Sequence, residues 1–154
     1  MELQKILSDL IAIDSTSSLS NCPFVTYVEE FIEGSGVTCH RLPSHEEGKF
    51  NLLLTKGDPS ELGLTLCGHM DTVPANHEKW QSDPWTLTER KGNWYARGSC
   101  DMKGFLAVAL QSIAKANICN GCLAVLLFCD EELGSFGAKH VLEHGLDTVF
   151  KGEC

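Results

Sequence analysis

No stretch of this sequence is long and apolar enough to span a bilayer. The longest apolar run, through Leu123 to Cys129, falls far short of the roughly 20 residues that a spanning helix needs. A basic-then-apolar leader is also lacking, so the expected compartment is the cytoplasm, with no membrane partner. Positive charge is scarce: 12 Lys and Arg stand against 21 Asp and Glu, a net of −9. Nucleic acid wants a basic footprint, so it is not an expected partner. Internal repeats and low-complexity tracts are missing, and the apolar fraction is that of an ordinary globular chain. At 154 residues the expectation is one domain with a real core.

Cysteine is not scarce: there are eight. Cys39, Cys67 and Cys129 sit inside apolar strand-like runs, where a thiol acts as a small hydrophobe. Reduced thiols are therefore expected rather than a disulfide frame. Cys119-Asn120-Gly121-Cys122 has C-x-x-C spacing, but no second Cys or His pair completes a structural zinc site. Its Asn-Gly reads as a turn leading into a strand.

Apolar residues at Leu3, Ile6, Leu7, Leu10 and Ile11 predict a helix over Glu2 to Ile13. Asp14 to Asn21, rich in Ser and Thr, reads as a loop. Pro23 suits the first turn of a second helix, Phe24 to Glu33. Val37 to Leu42 and Phe50 to Thr55 read as strands, and Leu64 to Gly68 as a buried one. Trp85 to Arg90 and Asn93 to Arg97 alternate like a hairpin around Lys91-Gly92. A helix follows over Met102 to Ala116. Then comes a fully apolar strand, Cys122 to Cys129, expected to be covered on both faces. Gly134 to His144 reads as a helix with Ala138, Val141 and Leu142 inward, and Thr148 to Lys151 as a last strand. Alternating strands and helices predict a layered α/β domain, a mixed sheet flanked by helices, with ligands at strand carboxyl ends.

Chemistry concentrates at those ends. In Gly68-His69-Met70-Asp71, alternation puts His69 and Asp71 on one side and Met70 on the other. Asp101 follows a run of small residues. Glu131 and Glu132 follow the apolar strand, and Glu153 the last one. With three carboxylates and an imidazole around one point, the carboxylates repel each other unless cations neutralise them. That donor set suits zinc, cobalt or manganese better than calcium. Shared carboxylates point to two ions, and of two adjacent glutamates one is free to act as a base.

Four segments carry a family resemblance. They are Gly68-His69-Met70-Asp71-Thr72-Val73-Pro74, Tyr95 to Gly104, Asp130-Glu131-Glu132-Leu133-Gly134, and Leu146 to Cys154. In order and spacing they resemble the co-catalytic zinc amidohydrolases and exopeptidases, which include acetylornithine deacetylase, succinyl-diaminopimelate desuccinylase and the aminoacylases. The resemblance implies a zinc-exopeptidase-like catalytic domain holding up to two zinc or cobalt ions. It implies His69 and Glu153 as ligands of the first ion, oriented by Asp71. Asp101 becomes the bridge, Glu132 a ligand of the second ion and Glu131 the general base. The peptide Asp101-Met102 is often cis in that family. Residues 1–154 correspond to the N-terminal part only. The resemblance implies that a dimerisation or lid domain, and the remaining catalytic part with a further histidine ligand, lie outside them. The family's homodimers form through that domain.

Asp83 to Glu89, Asp71 to Pro74 and Asp101 to Phe105 resemble acetylornithine deacetylases most, with the desuccinylases as the alternative. The expected partner is an N-acylated amino acid. A metal-binding remnant without turnover is the alternative of another class. His140-Val141-Leu142-Glu143-His144 matches a zinc-protease pattern, but its histidines fall on the side opposite Val141 and Leu142. His40, His45 and His77 read as surface residues, the three tryptophans as packing residues, and Cys100 as a small turn residue.

Overall fold

Amphipathic spacing builds the first layer. The computed structural model describes residues 2–61 and 63–144. Helix α1 (Leu3–Ala12) buries Ile6, Leu7, Leu10 and Ile11, and α2 (Cys22–Ile32) buries Phe24, Val25, Val28 and Ile32. Pro23 sits in the first turn of α2, where no backbone N–H is needed. Strands β1 (Thr38–Pro43), β2 (Phe50–Gly57) and β3 (Gly63–His69) follow. A hairpin, β4 (Thr88–Arg90) and β5 (Asn93–Tyr95), turns at Lys91 and Gly92 with φ of 51° and 76°. Two positive values are what a two-residue type I′ turn requires. Then come α3 (Lys103–Lys115), β6 (Cys122–Phe128) and α4 (Phe136–His144).

The main sheet has the order β1-β2-β6-β3. β2 runs antiparallel to β1 and to β6, whereas β3 runs parallel to β6. The sheet is therefore mixed, as expected. Alternation along β2 and β6 splits the core into two layers. Leu52, Leu54, Val125 and Leu127 pack with α1, α2 and α3. Leu53, Ala124 and Leu126 face the other way, toward Val141 of α4. β6 is central and its middle is buried on both faces, which explains its unbroken apolar run.

Lys103 anchors the layers. Its side chain is fully buried, and Nζ donates to the carbonyls of Leu10 (2.9 Å) and Ile13 (2.7 Å). Those carbonyls close α1, so the ammonium satisfies acceptors that a helix end otherwise leaves open. The first residue of α3, next to Asp101 and Met102, is thereby fixed to the end of α1.

Three expectations need correction. Among the described residues β3 is an edge strand, largely exposed from Gly63 to Cys67, with Leu64 at 61%. Its apolar run resembles a buried strand, but β6 covers only one of its sides. Cys67 accordingly lies at the surface rather than in the interior. Leu142 is 82% exposed, because α4 turns Val141 and Gly137 inward instead. The strand expected at Thr148 to Lys151 lies outside the described residues. Among the described residues, no helix is long and apolar enough to cross a membrane.

Candidate metal centre

The parallel pairing of β3 with β6 sets the site. His69 is the last residue of β3 and sits opposite Phe128, the last residue of β6. The Met70 N–H still donates to the Phe128 carbonyl at 2.8 Å. Two carboxyl ends therefore leave the sheet side by side, one delivering His69 to Asp71 and the other Asp130 to Glu132. Met70 turns inward and is fully buried, so His69 and Asp71 share the opposite side. Gly68 permits the close approach of α3. A Cβ there would lie 2.8 Å from Leu106 and 3.1 Å from Met102.

α3 brings the third contributor. Asp101 lies just before its first turn, and the peptide Asp101-Met102 is cis. Asp101 Oδ1 lies 3.0 Å from His69 Nε2. Single ligand atoms of His69, Asp101 and Glu132 all fall within 4.8 Å of one another. Glu131 Oε2 stands 4.0 Å from His69 Nε2. Five of the six expected site residues thus come together. The sixth, Glu153, lies outside the described residues.

Asp71 organises this cluster. It is 4% exposed and accepts four hydrogen bonds or close approaches. Ser17 Oγ donates to Oδ2 at 2.7 Å, and the Glu131 and Glu132 N–H groups donate to Oδ1 and Oδ2 at 3.1 Å each. His69 Nδ1 approaches Oδ1 at 3.5 Å, but its nearer partner is the Asp71 carbonyl at 3.0 Å. A ring nitrogen held on that side turns Nε2 outward to the carboxylates. Burial works against an ionised Asp71, yet these donors outweigh it and hold its carboxyl below the usual range. Burial likewise pushes His69 down, but Asp71 and Asp101 prevail and lift it to about 9. Glu132 is pushed up, first by burial and then by the charge of Asp101. A histidine that keeps its proton and a glutamate that resists ionising are both signs of surplus negative charge. A divalent cation would relieve it, so the donor set fits one.

Ser17 and Lys49 are site residues that sequence reasoning missed. Lys49 is 4% exposed and donates to the Ser17 carbonyl (2.7 Å) and to Asp130 Oδ1 (2.9 Å). It ties the loop before β2 to both halves of the site. His45, expected as a plain surface residue, lies 3.7 Å from Asp130 Oδ2 and against Phe136. His140 and His144 do contact each other, with ring centroids 4.7 Å apart, but no third ligand joins them among the described residues. Ser17→Ala should lower the unfolding free energy of the metal-free protein by about 1–3 kcal/mol, because it leaves a buried carboxylate short of a donor. Urea unfolding measures it, and a change below about 0.5 kcal/mol would remove Ser17 from the site.

Comparison with known proteins follows the same lines. The chain is 38% identical over 149 residues to acetylornithine deacetylase of Myxococcus xanthus, covering 94% of itself and 39% of that protein. It is 39% identical over 133 residues to the acetylornithine deacetylase of Proteus mirabilis, covering 84% of itself and 34% of that protein. It thus spans less than two fifths of either relative. Its fold matches an M20 family metallo-carboxypeptidase from Sulfolobus solfataricus with a TM-score of 0.82 at 22% identity, over 97% of this chain and 36% of that one. Human carnosine dipeptidase 1 matches with a TM-score of 0.76 at 22% identity, over 92% and 34%. Residues 65–153, which contain every expected ligand, match one family over more than half of the chain. The chain belongs to the peptidase family M20/M25/M40.

Proposed function

We propose that this chain is the metal-binding portion of an amidohydrolase that deacetylates N-acetyl-L-ornithine. The observation carrying the reading is the convergence of His69, Asp101 and Glu132 at the paired ends of β3 and β6, with Glu131 beside them. The names of the Myxococcus and Proteus relatives support the substrate. His69, Asp101 and Glu132 would hold zinc or cobalt, with Glu153 completing the set. A bound divalent cation would polarise the amide carbonyl and make a nearby water more acidic.

The chain's own residues supply the rest. Asp71 grips the backbone of Glu131 rather than its carboxylate, and the Glu131 side chain is 47% exposed. That carboxylate is free to take a proton from the attacking water and pass it to the leaving nitrogen. Asp71 keeps His69 facing the carboxylates throughout. Asp101, 73% exposed, lies on the open side where substrate would arrive.

The test pairs this chain with the remainder of the Myxococcus relative in trans and supplies zinc or cobalt. The pair should hydrolyse N-acetyl-L-ornithine in preference to N-succinyl-diaminopimelate, and the isolated chain should show little or no turnover. Preference for the succinyl substrate would transfer the reading to a desuccinylase. Bound metal without turnover by the pair would support a metal-binding remnant instead.

A further inference from the structure

We propose that His45, Glu46 and Asp130 form an accessory site for a divalent transition-metal ion, beside the centre at His69. It shares no residue with that centre, and its occupancy does not depend on the substrate. Single ligand atoms of the three side chains lie within 4.8 Å of one another. Acidic side chains often gather without an ion, but Asp130 sets this group apart. It is 1% exposed, and its Oδ2 has no hydrogen-bond partner among the described residues. A buried carboxylate oxygen is ordinarily given a donor. This one instead faces His45 Nδ1 at 3.7 Å.

The surroundings fit a cation. Lys49 Nζ occupies the other side of the group, 2.9 Å from Asp130 Oδ1 and 2.9 Å from Glu46 Oε2. Two carboxylates thus face one ammonium, and one negative charge is left over. Phe136 backs the His45 ring, with 5.0 Å between centroids. Ser44 Oγ lies 3.2 Å from His45 Nδ1, but it also reaches Cys129 Sγ at 3.0 Å, so the hydroxyl can turn there and release the nitrogen. Asp130 and Glu131 are adjacent, yet Glu131 meets His69 while Asp130 meets Lys49 and His45. One imidazole with two carboxylates suits zinc or cobalt better than calcium. Donors around zinc stand about 3–4 Å apart, so the exposed His45 and Glu46 close by about an ångström onto the buried Asp130. The site is weaker than the centre, because two of its three ligands are exposed and Lys49 competes for both carboxylates. It fills in added zinc and empties on dialysis. An ion held there clamps the 44–49 loop to the turn that carries Glu131 and Glu132.

The test uses the dialysed 154-residue chain with zinc chloride as the probe. In His69→Ala, calorimetric titration should show saturable uptake of about one equivalent at zinc concentrations up to about 1 mM. Adding His45→Ala should weaken that uptake about tenfold or more. His140→Ala should leave it unaltered, although the His140 and His144 rings lie only 4.7 Å apart. Without zinc, the circular dichroism and melting curve of the His45 variant should match those of its parent, because His45 is exposed. Glu46→Gln, at a side chain 55% exposed, should weaken uptake as well and decides the matter if the His45 variant melts early. Uptake that survives both changes would overturn the proposal. So would its loss with His140→Ala, or no saturable uptake at all. In the otherwise native chain, His45→Ala should leave the first, tightly held equivalent in place, so the failure of one site is distinguishable from that of the other.

Discussion

Glu131→Gln should leave the cation bound and remove turnover. In the assembled enzyme kcat should fall by about 10²–10⁴-fold, the usual worth of a positioned general base. KM should change little, because the amide keeps the shape of the side chain and the Glu131 N–H still donates to Asp71. The proposed metal ligands His69, Asp101 and Glu132 are untouched by the change. Stopped-flow or steady-state kinetics on N-acetyl-L-ornithine, with metal content measured beside them, give the answer. Loss of metal together with activity would show that Glu131 is a ligand and would move the base to Glu132. Undiminished kcat would remove Glu131 from the chemistry.

His69→Ala should abolish high-affinity binding of zinc or cobalt, dropping retained metal after dialysis from about one equivalent to near none. The imidazole is the one neutral-nitrogen donor of the cluster, and two carboxylates on an open surface hold zinc poorly. Chelation should lower the melting temperature of the wild type and leave that of His69→Ala unchanged, since ligand binding to the folded state alone stabilises it. Metal retained by the variant would sink the site.

The metal-free protein adds a pH signature. The His69 pKa is raised in the fold from 6.5 to about 9, so its charged form contributes stability fully below about pH 6.5. That contribution is lost as pH rises through about 9. Lys103, pushed by burial down to about 7, has the opposite sign, with stability increasing above pH 7. The difference between wild type and His69→Ala cancels the lysine. It should be full below about pH 6.5 and shrink between about pH 6.5 and 9 in chelator.

Much of this site was legible because its chemistry lies in short contiguous motifs. Gly68 to Asp71 and Asp130 to Glu132 each mark a strand end, and the parallel β3–β6 register brings those ends together. Ser17 was not legible. It lies among Ser15, Thr16, Ser18 and Ser20, and nothing local tells which hydroxyl reaches Asp71, a contact 54 residues away. Lys49 hid for the same reason: a lysine in a polar loop normally faces water, and its burial depends on Asp130 arriving from β6. The edge position of β3 was misread because an apolar run reports how hydrophobic a strand is, not how many neighbours it has. Leu142 shows the converse. Helical periodicity placed it inward, but α4 meets the sheet through one narrow stripe, Gly137 and Val141.

The Asp71 carboxylate has a consequence for how the centre fails. It holds the Glu131 and Glu132 segment by its backbone and faces His69 by its side chain. The proposed nitrogen ligand, carboxylate ligand and base are thus held through one residue, Asp71, by its carbonyl and its carboxylate, rather than braced separately. Opening of the 130–132 turn would release all three in a single event, so metal escape and loss of the base should share one rate constant. A centre wired this way has few half-broken states. It is assembled or it is not.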